Sequence, residues 1–341
     1  MLKYNIFLIF LVLINIIIIL NADKIIKKIN IYDNPDGKLK IHKKKTAPIG
    51  WIIYLFNFII FVIFDYISQA NAIDNIFHLS SKSQVFSFYF GIFSFIIIGF
   101  VDDIKGIAPI KRTLYAITIF FLVLKLNSGL LVQNFDINFL NLTINTLPIS
   151  TGFTILCIWT LFNMLNMYDG INLQSGINFI IIFTFFYFKF NQEIIYLVFI
   201  ISSLFFLILN SKSKLFLGNT GIYFLSYIIF FIILKKHNVS HEVNAEELML
   251  LLIIPFLDIT RVMCIRLLKL KKVFTGDLNH IHHRLISKYK LIPTNIILAI
   301  LSGLPIILHY WKIFPIYYLI YGSIIVYYLI ICLTKKISSN L

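Results

Sequence analysis

Three short polar islands carry the residues of this chain that could do chemistry. The first is Asp102-Asp103. Adjacent carboxylates repel, and one of them gains a proton unless a cation sits beside the pair. Magnesium suits such a pair, because it binds one or two carboxylates and completes its shell with water and substrate phosphates. The second island is Asn163-x-x-Asn166-x-x-Asp169-Gly170. Its i, i+3, i+6 spacing puts the three side chains roughly on one helical face. There the amides can donate to a nucleobase or phosphate, and Asp169 can serve a metal or move a proton. The third runs Gly276-Asp277-Leu278-Asn279-His280-Ile281-His282-His283, with Arg284 adjoining. Zinc would need a matching Cys or His cluster elsewhere, and the sequence has none. Hydrogen bonding and partial positive charge toward phosphate oxygens are the better use of these imidazoles, with Asp277 placed to orient one of them. The plainer readings are a solvated end-cap pair, interhelical amide hydrogen bonds and a surface histidine cluster. Taken together, the islands suit a divalent metal, diphosphate-type substrates and phosphoryl transfer.

The elements that must position them are membrane helices. The chain has 341 residues and is 59% hydrophobic, with a mean hydropathy of +0.89; soluble domains average nearer ~45–50% apolar. Apolar runs recur that are long enough to cross a bilayer, which takes roughly 17–25 residues. The ~10-residue alternation of a membrane β-barrel is missing. Spans are expected near 4–20, 48–67, 84–101, 113–126, 151–167, 176–190, 194–210, 222–234, 247–265, 295–309 and 316–333. The chain is therefore expected to be an all-α polytopic membrane protein of about eleven helices forming a single domain. The first span resembles a secretory signal but has no small-x-small cleavage site, and it reads as a signal anchor. Segment 127–148 reads as an external loop of low information.

Charge sets the orientation. The net charge is +15, and the lysines flank apolar spans, so a membrane surface is a better partner than nucleic acid. With the N-terminus outside, 23 of the 30 Lys and Arg residues fall on the inner side. This is the positive-inside bias, and it places the C-terminus in the cytosol. The polar islands played no part in that assignment, yet all of them land on the cytoplasmic side, together with Phe216-Leu217-Gly218-Asn219 and the basic stretch from Lys38 to Lys45. Within a span, Asp258 and Arg261 stand i, i+3 as a buried charge pair or as neighbours of the site. Cys157, Cys264 and Cys332 lie in apolar stretches with no ligand spacing and read as small lipid-buried residues.

In order along the chain, these pieces resemble the polyprenyl-phosphate N-acetylhexosamine-1-phosphate transferases, the MraY/WecA-like glycosyltransferase family 4. Asp33-Asn34-Pro35, Lys40-Ile41-His42 and Pro48-Ile49-Gly50 resemble its D-x-P…K-x-H…P-x-G-G segment. Asp102-Asp103-Ile104-Lys105-Gly106 resembles DD-x-x-G, and Asn163 to Gly170 resembles N-x-x-N-x-x-D-G. Phe216 to Gly221 is similar to F-x-G-D-x-G, Pro255 to Arg266 to P-x-x-D-T-x-x-V-x-x-x-R, and Asp277 to Leu285 to D-x-x-H-x-H-H-x-L. The spaced His-x-His-His is more similar to the WecA branch. The resemblance covers about residues 33–285, and two further helices follow in 286–341.

The resemblance implies that a polyprenyl (undecaprenyl) phosphate attacks the β-phosphorus of a UDP-N-acetylhexosamine. UMP leaves, and this is the first step of a cell-surface polysaccharide or glycolipid pathway at the inner membrane, with the site on its cytoplasmic face. It implies magnesium, or manganese in its place, held by Asp102, Asp103, Asp169 and Asn219. It gives catalytic roles to Asp102, Asp103, Asp169 and His282, with Asp102 or Asp103 deprotonating the lipid phosphate. Substrate binding falls to Lys40, His42, Asn163, Asn166, His280, His283 and Arg284. The expected partners are the two substrates and the bilayer but no nucleic acid, and a homodimer is left open. The chain departs from the family pattern in four places. Asn219 replaces an Asp, Trp51 replaces the second Gly of the early motif, Leu173 and Gln174 stand where a Gly is usual, and Ile222 stands where a Ser is usual. Asn219 motivates one alternative, a catalytically impaired relative that binds lipid phosphate or nucleotide. A transporter is the other, and Asp258 and Arg261 are its candidate charges within a span.

Overall fold

The computed structural model describes residues 2–35, 45–137, 141–270 and 278–334. Its helices are α1 (Leu2–Leu20), α2 (Ala22–Ile29), α3 (Trp51–Ser68), α4 (Ala72–Phe77), α5 (Lys82–Lys105), α6 (Pro109–Leu126) and α7 (Ser150–Tyr168). They continue as α8 (Gln174–Lys189), α9 (Ile194–Ser211), α10 (Gly218–Asn238), α11 (Ala245–Leu268), α12 (Ile281–Lys288), α13 (Leu291–Tyr310) and α14 (Ile316–Leu333). Each expected span falls on one of these helices. Among the described residues, nine helices are long and apolar enough to cross a membrane. The other two expected spans fall on α6, which carries Lys111, Arg112 and Lys125, and on α8, which has only 16 residues. The chain is a helical polytopic membrane protein.

The apolar surface sorts the helices into a centre and a rim. α10 is buried along almost its whole length, from Thr220 to Lys236, whereas α1 and α14 expose rows of Ile, Leu and Tyr. A helix that is apolar all round is stable inside a bundle, where its neighbours supply packing in place of lipid. α5, α3 and α7 pack around α10; α8 and α9 form a hairpin beside α3 and α13; α11 packs on α13 and α14. α5 and α10 approach each other closely. A Cβ on Gly99 would come within 2.4 Å of the Thr220 Cα, so only glycine lets the two backbones touch. Small residues at a helix contact are the usual means of bringing membrane helices this close.

Segment 127–148 is not a featureless loop. It contains an antiparallel hairpin of β1 (Asn134–Ile137) and β2 (Leu142–Asn145), with Asn134 opposite Asn145. The strands are four residues long and β2 is fully exposed. A pair with neither face buried leaves no alternating pattern to read.

Candidate functional site

Asp102 and Asp103 are in the last turn of α5, and their environments differ. Asp103 reaches across to the start of α10. Its Oδ1 accepts from the Asn219 backbone N–H at 2.7 Å, and its Oδ2 accepts from the Thr220 N–H at 3.0 Å and the Thr220 hydroxyl at 2.7 Å. The first N–H groups of a helix have no partner within the helix and favour negative charge, so Asp103 caps α10 from another helix. The sequence prepares this contact twice. Gly99 lets α10 approach one turn earlier, and Gly218 adopts a φ of +79°, where a Cβ would lie 2.7 Å from Asp103 Oδ2 and from the Pro48 carbonyl oxygen. Asp102 is buried. It accepts from the Ile107 N–H at 2.6 Å, from Arg112 Nη1 at 3.1 Å and from the Tyr223 hydroxyl at 3.2 Å.

Loops from distant parts of the chain are stitched together beside this pair. Gly50 N–H donates to the Phe216 carbonyl, Phe216 N–H donates to the Ala47 carbonyl, and Asp33 pairs with Thr46. The Thr46 hydroxyl donates to the Ser213 carbonyl at 3.2 Å. The result is a cavity of about 1010 Å³ whose lining includes Asp33, Asp102, Asp103, Asn166, Asp169 and Asn219, with His283 on its wall. Residues from all three polar islands, His283 alone from the third, and the Phe216–Asn219 segment therefore meet at one end of the bundle. Ligand clefts typically run about 300–1,000 Å³, so this one has room for a large polar ligand.

Asp169 follows the last residue of α7. Burial pushes its carboxyl up to about 6, the negative charge of Asp103 adds to the rise, and a hydrogen bond from Ser175 opposes it. Two carboxylates that feel each other across an open cavity fit a cation whose shell the substrate completes. Among the described residues, no group of three His, Cys, Asp or Glu side chains is placed to hold a metal by itself, so substrate or water oxygens would have to complete the shell.

Several expected site residues lie elsewhere. Asn163 is absent from the main cavity lining. Its amide donates to the Trp159 carbonyl at 2.7 Å, and it lines a small side cavity with Arg112, Trp159 and Tyr223. At ~3.6 residues per turn, i and i+6 differ by about a third of a turn, so Asn163 and Asp169 cannot both point into the same space. Asn166, between them, lines both cavities. His280 faces away from the cavity, with Nδ1 2.7 Å from Asp258 Oδ2. His282 is buried against Gly170, with Nδ1 3.4 Å from Gln174 Nε2. Burial and then the charges of His283 and His280 hold its pKa well below the ordinary histidine value. This favours the neutral imidazole, whose ring N–H can still donate a hydrogen bond. Arg284 turns to the end of α14 and donates to the Thr334 carbonyl; one position along a helix rotates a side chain by about 100°, which separates it from His283. Lys40, His42 and Asp277 lie outside the described residues.

The structure adds residues that spacing alone did not single out. Arg112 and Tyr223 hold Asp102, and Thr220 holds Asp103. Arg112 could have been noticed as the only arginine in the short cationic segment after Asp102-Asp103. Asp258 and Arg261 form an ion pair at 2.8 Å. Asp258 also accepts from the Ile281 N–H at 2.9 Å, so the pair braces the histidine helix.

Comparison with known proteins agrees with part of this picture. Residues 85–237 match the model of the family described as glycosyl transferase family 4. The matched segment runs from α5 to the end of α10 and contains Asp102, Asp103, Asn166, Asp169 and Asn219, but not the histidine helix. No curated protein matches the chain.

Proposed function

We propose that the chain is a sugar-1-phosphate transferase acting between a UDP-N-acetylhexosamine and a polyprenyl phosphate, with the cavity end of the bundle in the cytosol. The family match over α5–α10 supports a transferase of the polyprenyl-phosphate type. The observation that carries the finer reading is the convergence of Asp103, Asp169, Asn166 and Asn219 on one cavity at the end of membrane helices. A lipid phosphate sits at headgroup depth, so a site at span ends is where it can meet a soluble nucleotide sugar. On this reading an oxygen of the acceptor phosphate attacks the β-phosphorus of the donor. The bond from that phosphorus to the bridging oxygen breaks, and UMP leaves with the electron pair. The acceptor phosphate attacks in its ionised form, so Asp103, the more open of the adjacent carboxylates, stays ionised during the step. Asp102, fixed by Arg112, Tyr223 and the Ile107 N–H, keeps the end of α5 in place.

Magnesium bound by Asp103 and Asp169, with the Asn219 side chain beside them, would neutralise the diphosphate oxygens of the donor and of the leaving UMP. Phosphoryl transfer needs positioning and charge stabilisation more than covalent machinery. Asn166 suits donor binding from the cavity wall, and His283 suits a phosphate oxygen.

The test is transfer of labelled N-acetylhexosamine-1-phosphate from a panel of UDP-sugars to polyprenyl phosphate by the purified protein in lipid vesicles. Magnesium-dependent, UMP-reversible label in the lipid phase is expected for at least one donor. A folded preparation that transfers no label from any donor would refute the reading.

A further inference from the structure

The histidine helix α12 is held from behind by a helix to which neither motif nor family match assigns a role. Tyr327, on α14, is fully buried. Its hydroxyl donates to Asp258 Oδ1 at 2.9 Å and accepts from Arg261 Nε at 2.7 Å. The same two residues hold the start of α12. Asp258 takes His280 Nδ1 and the Ile281 N–H, and Arg261 donates to the Asn279 carbonyl at 2.6 Å. Farther along, the carbonyls at the end of α14 are taken by α12 itself. Arg284 donates to Thr334 O and Lys288 donates to Leu333 O at 3.3 Å. Carbonyls at a helix C-terminus have no partner within the helix and carry negative charge, so cations from α12 suit them. α14 therefore holds α12 directly through Arg284 and Lys288, and holds its start indirectly through Asp258 and Arg261, and α12 sets His282 against Gly170 and His283 on the cavity wall.

We infer that α14 is a bracket for the histidine helix and that Tyr327 is a positioning residue for the cavity, acting through Asp258 and Arg261 on His283. The kinetic part of this inference rests on the proposed transfer. The bracket itself does not. Removing the Tyr327 hydroxyl leaves Arg261 Nε without its acceptor in a buried place, and one such lost hydrogen bond is worth about tenfold in an equilibrium.

The experiment compares the full chain with Tyr327→Phe in lipid nanodiscs by two readouts. In hydrogen exchange, amides of residues 279–288 should exchange about tenfold faster in the variant, with α13 unchanged. Arg284→Met, which removes the second grip, should do the same and serves if Tyr327→Phe does not fold. In a double-mutant cycle on transfer, Tyr327→Phe should lower kcat about tenfold with little change in donor KM, and should have no further effect in a His283→Ala background. Unchanged exchange in α12, equal acceleration throughout the bundle, or fully additive effects would each overturn the inference. If the wild-type chain transfers nothing, the functional reading falls and the exchange result still decides whether the bracket exists.

Discussion

The two ends of α10 both carry charge, and the charges are arranged in opposite ways. At the cavity end, the Asp103 carboxylate caps the first turn of the helix, while Asp169 faces it across open space. At the other end, the helix finishes in Lys235, Lys236 and His237, cations that suit its negative terminus. Lys235 and Lys236 are only 1% and 3% exposed. Lys236 is paired with Glu193 and Glu242, and Lys235 donates to the His78 carbonyl. Opposite charges that satisfy one another and exclude water form a structural clamp. Like charges that line a cavity leave room for a ligand between them. The same helix thus separates a fastening from a candidate site, and the difference lies in the sign and spacing of the charges.

Breaking the cavity end should have the largest effect. Asp103→Asn removes both the cap charge and the cavity charge, and transfer by the purified protein should fall by about 100- to 1,000-fold in kcat, the usual loss for a preorganised electrostatic group. Gly218→Ala should come next, because it places a Cβ against Asp103 at a φ where side chains are strained by about 1–2 kcal/mol. Lower thermal stability together with reduced transfer per folded molecule is expected. The outer end gives the contrast. Lys236→Met strips a buried partner from Glu193 and should lower stability in denaturant by about 1–3 kcal/mol, with kcat of the folded fraction unchanged. A fall in kcat for this variant would erase the distinction between the two ends.

Two smaller effects sharpen it. Asp169 must be ionised to bind a cation, and its pKa is raised to about 6. Divalent-cation affinity measured by titration should therefore be level above that pH and fall as pH drops through it. Leu173 sits at a φ of +74°, where glycine is favoured. Leu173→Gly should raise stability by about 1 kcal/mol, measured as a shift in the unfolding midpoint.

The helices were legible in the sequence because each is a long apolar run, and the lipid-like composition leaves few other readings of 151–167 or 316–333. Much of the cavity lining was legible too, since Asp102-Asp103 and Asn166-x-x-Asp169 are conspicuous where charge is rare. What spacing could not give is direction. Asn163 and Asn166 look equivalent in the sequence, yet the turn of α7 sends only Asn166 into the main cavity. The three histidines look like one cluster, yet only His283 lines the cavity, while His280 is committed to Asp258. Contacts between distant segments left no local sign. Tyr327 meets Asp258 across 69 residues, and Arg112 meets Asp102 around a turn between helices. Neither has a period or a motif.

The proposed transfer requires Asp103 and Asp169 together to bind one divalent cation in the presence of a nucleotide sugar. Electron paramagnetic resonance during a Mn²⁺ titration of the protein in nanodiscs, with UDP-N-acetylhexosamine present, measures this directly. The wild-type chain should bind one tight Mn²⁺, and Asp103→Asn combined with Asp169→Asn should bind none. Equal binding by both proteins, or none by the wild type, would rule out a cation shared by these two carboxylates.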